Sequence, residues 1–403
     1  MPRVRPVLAA VLLVVASATA VVAVSGDAAA PVEPADDPVV GTSENSTRVL
    51  LLTEADAASF HEPDANVAST LSTGHETLSV EQKLKGVRAR LDAAESDEQR
   101  REVVANATDW ARDRLRTLQD RERTAREQFA DGELTATEFA LELARIHSNA
   151  SKLIEVVGSG TTSGGGTLYQ LAFEYGLDTE ELSRVRVQLV ALEGPVRERI
   201  AEVVHGERDA VRVHVTTGNG LMLSTMDGEE YLRETYRSDN LVSEVAGYGD
   251  PTENVATAYP WVANNSRNDQ YTLAGQLAVI YSTNTPHSQL DVWINTATKR
   301  VYLERQAVEL AGLPTEVEAS ASANNTTLQA SRTYAGGPLL VRVENATGVG
   351  VGAPVSLNGT VVGDTGADGE LWLLSPSGEY TVSTETAAGT PLEVNVTARP
   401  APA

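Results

Sequence analysis

Residues 211–236 read VRVHVTTGNGLMLSTMDGEEYLRETY. Val211, Val213 and Val215 alternate with polar residues, and Leu221 and Leu223 resume the alternation. Gly218-Asn219-Gly220 and Asp227-Gly228 supply turns between the runs. Period-two patterning broken by glycine turns predicts an antiparallel meander closed by Tyr231 to Tyr236. A similar order follows downstream. Asn254 to Ala263 reads as a helix interrupted at Pro260, Thr272 to Tyr281 as a strand, and Leu290–Asn295 with Val301–Ala307 as a hairpin. Tyr231-Leu232-Arg233-Glu234 and Tyr302-Leu303-Glu304-Arg305 hold matching places, which predicts two helix-plus-three-strand repeats over 178–237 and 252–309.

Upstream the period changes to that of a helix. From Asp178 to His205, Leu182, Val185, Leu189, Leu192, Val196, Ile200 and Val203 keep helical spacing, with a break expected at Gly194-Pro195. Ser79 with Gln82, Ser96 with Gln99 and Thr135 with Glu138 fit capping boxes and predict three helix starts. Phe139, Leu143, Ile146, Ala150, Leu153 and Val157 form a four-three seam. Its expected partner stripe is Val104, Ala107, Ala111, Leu118 and Ala125, interrupted by Arg114 and Arg121. An antiparallel helical hairpin follows, its Arg/Glu-rich face solvated by pairing along the helix. Gly158 to Thr167 resembles a phosphate loop only in its glycines. The lysine such a loop needs is missing, so a flexible linker is expected.

Residues 316–335 are poor in large apolar side chains and read as a linker or edge segment. From Leu339 short strands and turns alternate, as in a small β-sandwich. Trp372, in the Leu371–Leu374 strand, is expected to pack against the opposite sheet of that sandwich. The fold class is therefore multidomain α+β: an N-terminal antiparallel helical hairpin, central helix-plus-meander repeats and a C-terminal small β-sandwich. The expected boundaries are 1–25 signal peptide or N-terminal anchor, 26–47 disordered spacer, 48–157 helical hairpin, 158–167 linker, 168–315 mixed helix and β-meander, 316–335 linker and 336–398 sandwich.

The chain has 403 residues, no cysteine and a net charge of -24. Disulfides, thiolate metal sites and cysteine nucleophiles are excluded. Such acidity repels nucleic acid and anionic lipid. Lys83, Lys85, Lys152 and Lys299 are the 4 lysines among 32 basic residues. Strong acid excess with so little lysine points to a protein of concentrated salt, where screening removes self-repulsion. Arg3 and Arg5 precede the uncharged apolar run Val7 to Val24, and within it Ala16-Ser17-Ala18-Thr19-Ala20 supply small residues for a signal peptidase. This is a secretory pattern. The run is also barely long enough to span a bilayer uncleaved. Nine Asn-x-Ser/Thr sequons begin at Asn45, Asn106, Asn149, Asn264, Asn324, Asn325, Asn345, Asn358 and Asn395. Roughly three would arise by chance, so glycosylated exterior surface is expected.

The order Gly352-Ala353-Pro354-Val355-Ser356-Leu357-Asn358-Gly359, Thr365-Gly366-Ala367-Asp368-Gly369 and Gly378-Glu379-Tyr380-Thr381-Val382 resembles the carboxypeptidase-regulatory-like, or transthyretin-like, sandwich. That resemblance implies a non-catalytic appendage of exported proteins. Residues 290–306 resemble the closing hairpin of PepSY domains, which occur in protease propeptides and envelope proteins. Taken whole, the chain resembles a haloarchaeal secreted or surface-protein family of unknown function.

No His-Glu-x-x-His, no His with Glu three residues on and no Gly-x-Ser-x-Gly occurs. The six histidines are dispersed, so no local metal motif arises. Asp364, Asp368 and Glu370 read as a strand-connecting turn rather than a calcium loop. Tyr259-Pro260-Trp261 with Tyr248 reads as core in preference to a groove lining. The expectation is a non-catalytic, exported, N-glycosylated cell-surface or secreted protein of a halophilic archaeon, without cofactor, metal or nucleic acid. Its partner would be an unidentified envelope or extracellular protein. A regulator or inhibitor of extracellular proteolysis is the alternative. A carboxylate-based glycoside hydrolase is the remote one, since two of 56 acidic residues can meet from anywhere in the chain.

Overall fold

Helix signals upstream and strand signals downstream become layers of one assembly. The computed structural model describes residues 39–40, 49–50, 52, 55–61, 63, 65–158, 167–334, 336–376, 378–386 and 389–397. The signal or anchor segment, Asn45 and most of the 158–167 linker lie outside the described residues. Val39–Val40 (β1), expected within a disordered spacer, instead pairs antiparallel with Val49–Leu50 (β2). Ala55–His61 (β3) follows.

The helices are Val67–Ala93 (α1), Asp97–Ala130 (α2), Ala136–Val157 (α3), Leu168–Glu174 (α4), Glu180–Val190 (α5) and Pro195–His205 (α6). Thr135 caps α3 through a reciprocal box with Glu138, and Ser96 caps α2 by accepting from the Gln99 amide. Ser79 caps nothing. Helix α1 starts at Val67, and Ser79 lies in its interior. The reason is an inverted pattern: Val67, Leu71 and Leu78 are exposed while Thr73 and Val80 are buried. The apolar period therefore becomes readable only after Ser79. Helices α2 and α3 form the antiparallel hairpin, with Phe139, Leu143, Ile146, Ala150, Leu153 and Val157 buried along its seam. Helix α1 lies along both. Arg114 and Arg121, the two breaks in the stripe, both reach Glu76 of α1 at 3.1 Å, and Arg121 also binds Glu142 at 2.7 Å.

The central sheet has eight strands in the order β3-β4-β5-β6-β10-β9-β8-β7, every neighbouring pair antiparallel. Here β4 is Val213–Gly218, β5 Gly220–Asp227, β6 Glu230–Arg237, β7 Arg267–Ala274, β8 Ala278–Asn284, β9 Ser288–Asn295 and β10 Val301–Glu309. One expected boundary changes. The strand expected over Thr272–Tyr281 is a hairpin, because Gly275 turns the chain at φ 54°. Each half of the sheet thus has four strands, the first completed by β3. That strand comes from 48–157, the segment expected as the helical hairpin domain. The hairpin β9–β10 sits inside the sheet, with β10 against β6.

The two halves meet with an internal two-fold register. Leu303 opposite Tyr236 corresponds to Leu232 opposite Ala307, Glu304 opposite Thr235 corresponds to Arg233 opposite Gln306, and Glu234 opposite Arg305 maps onto itself. One face of the sheet packs on α2, α3, α5 and α6. The other is covered by β2, by Pro251–Ala258 (α7) and Pro260–Asn265 (α8), and by the C-terminal sandwich.

Residues 316–332, expected as a linker or an edge segment, form Glu316–Ala323 (β11), an edge strand, and Thr326–Arg332 (β12). They join Leu339–Asn345 (β13) and Glu370–Leu373 (β16) in one sheet of the sandwich. Thr360–Asp364 (β15), Pro354–Leu357 (β14), Glu379–Glu385 (β17) and Pro391–Thr397 (β18) form the other. Alanine and threonine suffice in β11 and β12 because small side chains cover the flank of the core formed by Leu328, Val341, Val355 and Val382. Trp372 does not enter that core. It is half-buried against Tyr231, Val308 and Tyr334, where the sandwich meets the central sheet. Strand alternation sends Leu371 and Leu373 inward and Trp372 out.

Candidate functional site

The two tetrads that suggested repeats carry the buried charges. On the helical face Arg197 of α6 donates to Glu122 of α2 at 2.6 Å and to Glu234 of β6 at 3.0 Å. The second Glu234 oxygen accepts the Val196 amide at 3.1 Å, so a sheet carboxylate caps α6. On the opposite face Arg233 donates to Glu304 at 2.6 Å. This pair clasps β2: the Leu50 amide donates to Glu304 and Arg233 donates to the Leu50 carbonyl, at 2.7 and 2.5 Å. Tyr259 also donates to Glu304, at 2.6 Å, so the Tyr259-Pro260-Trp261 cluster is anchored in the core at its first residue. Trp261 stacks on His287, and the Tyr248 hydroxyl donates to the Gly275 carbonyl. The aromatic residues therefore share no single groove. Burial pushes both the Glu234 and Glu304 carboxyls up, against the pull of Arg197 and Arg233 respectively. These groups are enclosed and paired with one another, an arrangement that holds layers together, while the Arg233 Nε has no hydrogen-bond partner among the described residues.

Two clefts open beside this core. The first, about 410 Å³, lies between His147 and Ser151 of α3, the Glu193-Gly194-Pro195 turn, and Gln289, Asp291 and Arg305 of the sheet. Arg305 faces Asp291 across the strands, yet its Nη2 donates to the Val190 and Glu193 carbonyls at 2.7 and 2.8 Å. Its guanidinium also lies 4.9 Å from the Trp293 ring centroid. Arg305 thus closes the C-terminal end of α5. Burial, with Arg197 and Arg305 nearby, pushes His147 down to about 3, so it stays neutral. Its Nδ1 has no hydrogen-bond partner among the described residues, and no bond joins it to Ser151. A nucleophile–base pair is not assembled there.

The second cleft, about 360 Å³, lies between α7–α8 and the last strands of the sheet. Thr252, Glu253, Val255, Asp269, Tyr271 and Tyr281 line it. Asp269 is fixed by hydroxyls of Tyr281, Thr283 and Ser266 at 3.0, 2.6 and 2.9 Å. Tyr271 and Tyr281 are cross-strand partners with ring centroids 5.0 Å apart. Sequence reasoning placed only Thr272–Ala274 of this edge in a strand, because the alternation in RNDQYTLA is confined to Tyr271 and Leu273 and its first four residues are polar. The buried ions did leave a signal, charged residues inside otherwise apolar segments, in the YLRE and YLER tetrads.

Of the sequon asparagines, Asn106, Asn264, Asn324, Asn325, Asn358 and Asn395 are exposed and Asn345 is half-buried. Asn324, Asn325 and Asn358 sit in turns at φ 49°, 62° and 49°. Asn149 is corrected: it is fully buried in α3, accepting from Arg114 at 2.7 Å and donating to the Arg145 carbonyl. Asn has helix-compatible size and reads as exterior only when its partners across the bundle are unknown. Asp364 and Asp368 accept backbone amides two residues on, and Glu370 pairs with Arg342 at 2.7 Å. Among the described residues no group of three or more metal-ligating side chains occurs, and no helix is long and apolar enough to cross a membrane.

Comparison with known families gives three matches along the chain. Residues 1–209 match the model described as Domain of unknown function (DUF7096), residues 213–314 that described as Family of unknown function (DUF7094), and residues 317–390 an archaeal fibronectin-III type-like domain. The sandwich is therefore matched to a fibronectin-type family, starting at the strands expected as a linker. No curated protein and no solved structure matches.

Proposed function

The chain belongs to the DUF7096 family, and we propose that it is an exported, N-glycosylated, non-catalytic protein of the archaeal cell surface or exterior, working through contacts with other envelope or extracellular proteins. The observation that carries this is the placement of the sequons. Six of their asparagines are exposed, three of them in turns of the sandwich, where a glycan projects without displacing packed side chains. The buried charges support the non-catalytic part, being spent on internal pairs. A halophilic setting is part of the proposal and rests on the charge of -24 with 4 lysines. The test is fractionation of the producing cells with mass spectrometry of glycopeptides. The expected result is a chain in the envelope or medium, modified at exposed sequons and bare at Asn149. A cytoplasmic chain that keeps residues 1–25 and carries no glycan would overturn it.

A further inference from the structure

Strand β7 ends the central sheet, so the outward amides and carbonyls of residues 267–274 meet no further strand among the described residues. Seven of its eight residues are exposed, and α5 packs near its Ala274 end. Proteins guard such edges with lysine, proline, short length or bulges. Here the guard is confined to one end. The register shifts between Arg267 and Gln270, with Asn268 at φ 63°. From Gln270 to Ala274 the pairing with β8 is regular, and Gln-Tyr-Thr-Leu-Ala contains no charge and no proline. Tyr271 and Leu273, two residues apart and so on one side of the strand, are 37% and 56% exposed. An incoming strand would find free backbone partners and an apolar row.

The cleft beside this edge chooses the side chain such a strand brings. Its ionisable lining is Glu253, Asp269, Tyr271 and Tyr281, with no cation among the lining residues. The Glu253 carboxylate is exposed, with no hydrogen bond or ion pair among the described residues. The Tyr271 hydroxyl is pushed up to about 12, by burial first and then by Tyr281, Asp269 and Asp250. Two phenol faces over an acidic cleft suit a guanidinium or ammonium group.

We propose that the outer edge of β7 is a docking site for an extended segment of a partner polypeptide, added as a ninth strand with a basic side chain in the adjoining cleft. The occupant is a different chain: a second copy would bring the uncharged run Gln270–Ala274 and the same acidic cleft, and so no basic side chain to set in this one. This deepens the interaction reading above and rests on it. An assay on the purified chain keeps the two separable, since its outcome does not depend on where the cell places the protein.

The probe is a fluorescein-labelled six-residue peptide alternating threonine and valine, with one central arginine. It is titrated against the full chain by anisotropy, at the lowest salt that preserves a cooperative melt. Saturable binding is expected, at least ten-fold weaker when the arginine is replaced by glutamate. Glu253→Lys should reverse that preference. Leu273→Lys, at an exposed position of the edge, should weaken the arginine peptide at least ten-fold with unchanged circular dichroism. Equal binding of both peptides, no saturation, or indifference to both substitutions would overturn the proposal. So would a dimer in sedimentation that Leu273→Lys abolishes, since a second copy would then hold the edge.

Discussion

Gly194 has no room for a side chain. A Cβ there would stand 1.7 Å from the Glu234 oxygen that caps α6, and its φ of 167° is ordinary extended backbone, so the constraint is steric. Gly194→Ala should push the carboxylate off both Arg197 and the Val196 amide, exposing a buried ion triad to the cost of a missing partner. About 3 kcal/mol or more of stability should be lost in denaturant titration. Gly86→Ala, in α1 with open space around it, is the control and should stabilise by about 0.5–1 kcal/mol. A second residue-scale effect comes from His147 and His214. Burial leads in pushing them down, to about 3 and about 4, with arginine charges adding to it. Both bind protons more readily in the unfolded chain. Stability should therefore fall as pH drops from about 6.5 towards 4. Glu234 and Glu304, whose carboxyls burial raises, act with the opposite sign above the ordinary carboxylate range. The histidine contribution is isolated by comparing wild type with the double variant His147→Gln/His214→Gln, whose stability should decline less steeply over that interval.

At the scale of elements, the sandwich tests how local strand pairing can be. Its first sheet takes β11 and β12 ahead of β13, and Leu328 and Ala330 of β12 are fully buried in its core. A fragment of residues 316–397 should fold, giving a cooperative thermal transition in high salt. A fragment of residues 336–397 should not, because half of one sheet is missing and the inner face of β13 is left bare. Cooperative melting of the shorter fragment would show β11 and β12 to be accessory. The same scale explains which helices were legible. The start of α3 is written in a complete capping box and six seam residues. The N-terminal half of α1 is held from outside, by Glu76 against Arg114 and Arg121 and by the Asn66 amide on the Val204 carbonyl, contacts with no local sequence signature.

At the scale of the whole molecule, charge is unevenly spent. The buried pairs Arg197–Glu122, Arg197–Glu234 and Arg233–Glu304 are shielded from solvent and respond little to salt. Exposed pairs such as Arg116–Asp113 and Arg123–Asp120 contribute little at any salt. What remains is the repulsion of the acidic excess. Lowering salt from about 1 M to about 0.1 M lengthens the screening distance from about 3 Å to about 10 Å. The melting temperature should fall substantially over that range. A melting temperature that stays constant would remove the basis for a halophilic setting.

By itself the sequence determined the kinds of element and much of their order. Hydrophobic period and turn chemistry are local, so the α2–α3 hairpin, the break at Gly194-Pro195, the β4–β6 meander and the C-terminal strands could all be read. It also marked the YLRE and YLER tetrads as equivalent. Only the tertiary structure decided that β3 leaves the helical segment to complete the sheet, that residues 316–332 are strands, and that Asn149 is interior. It alone decided that the two tetrads meet across a two-fold register to bury their charges on opposite faces. The physical reason is common to all four. Strand partners, burial of a polar side chain and the pairing of buried ions depend on groups brought close by the rest of the chain, and those distances have no imprint on local spacing.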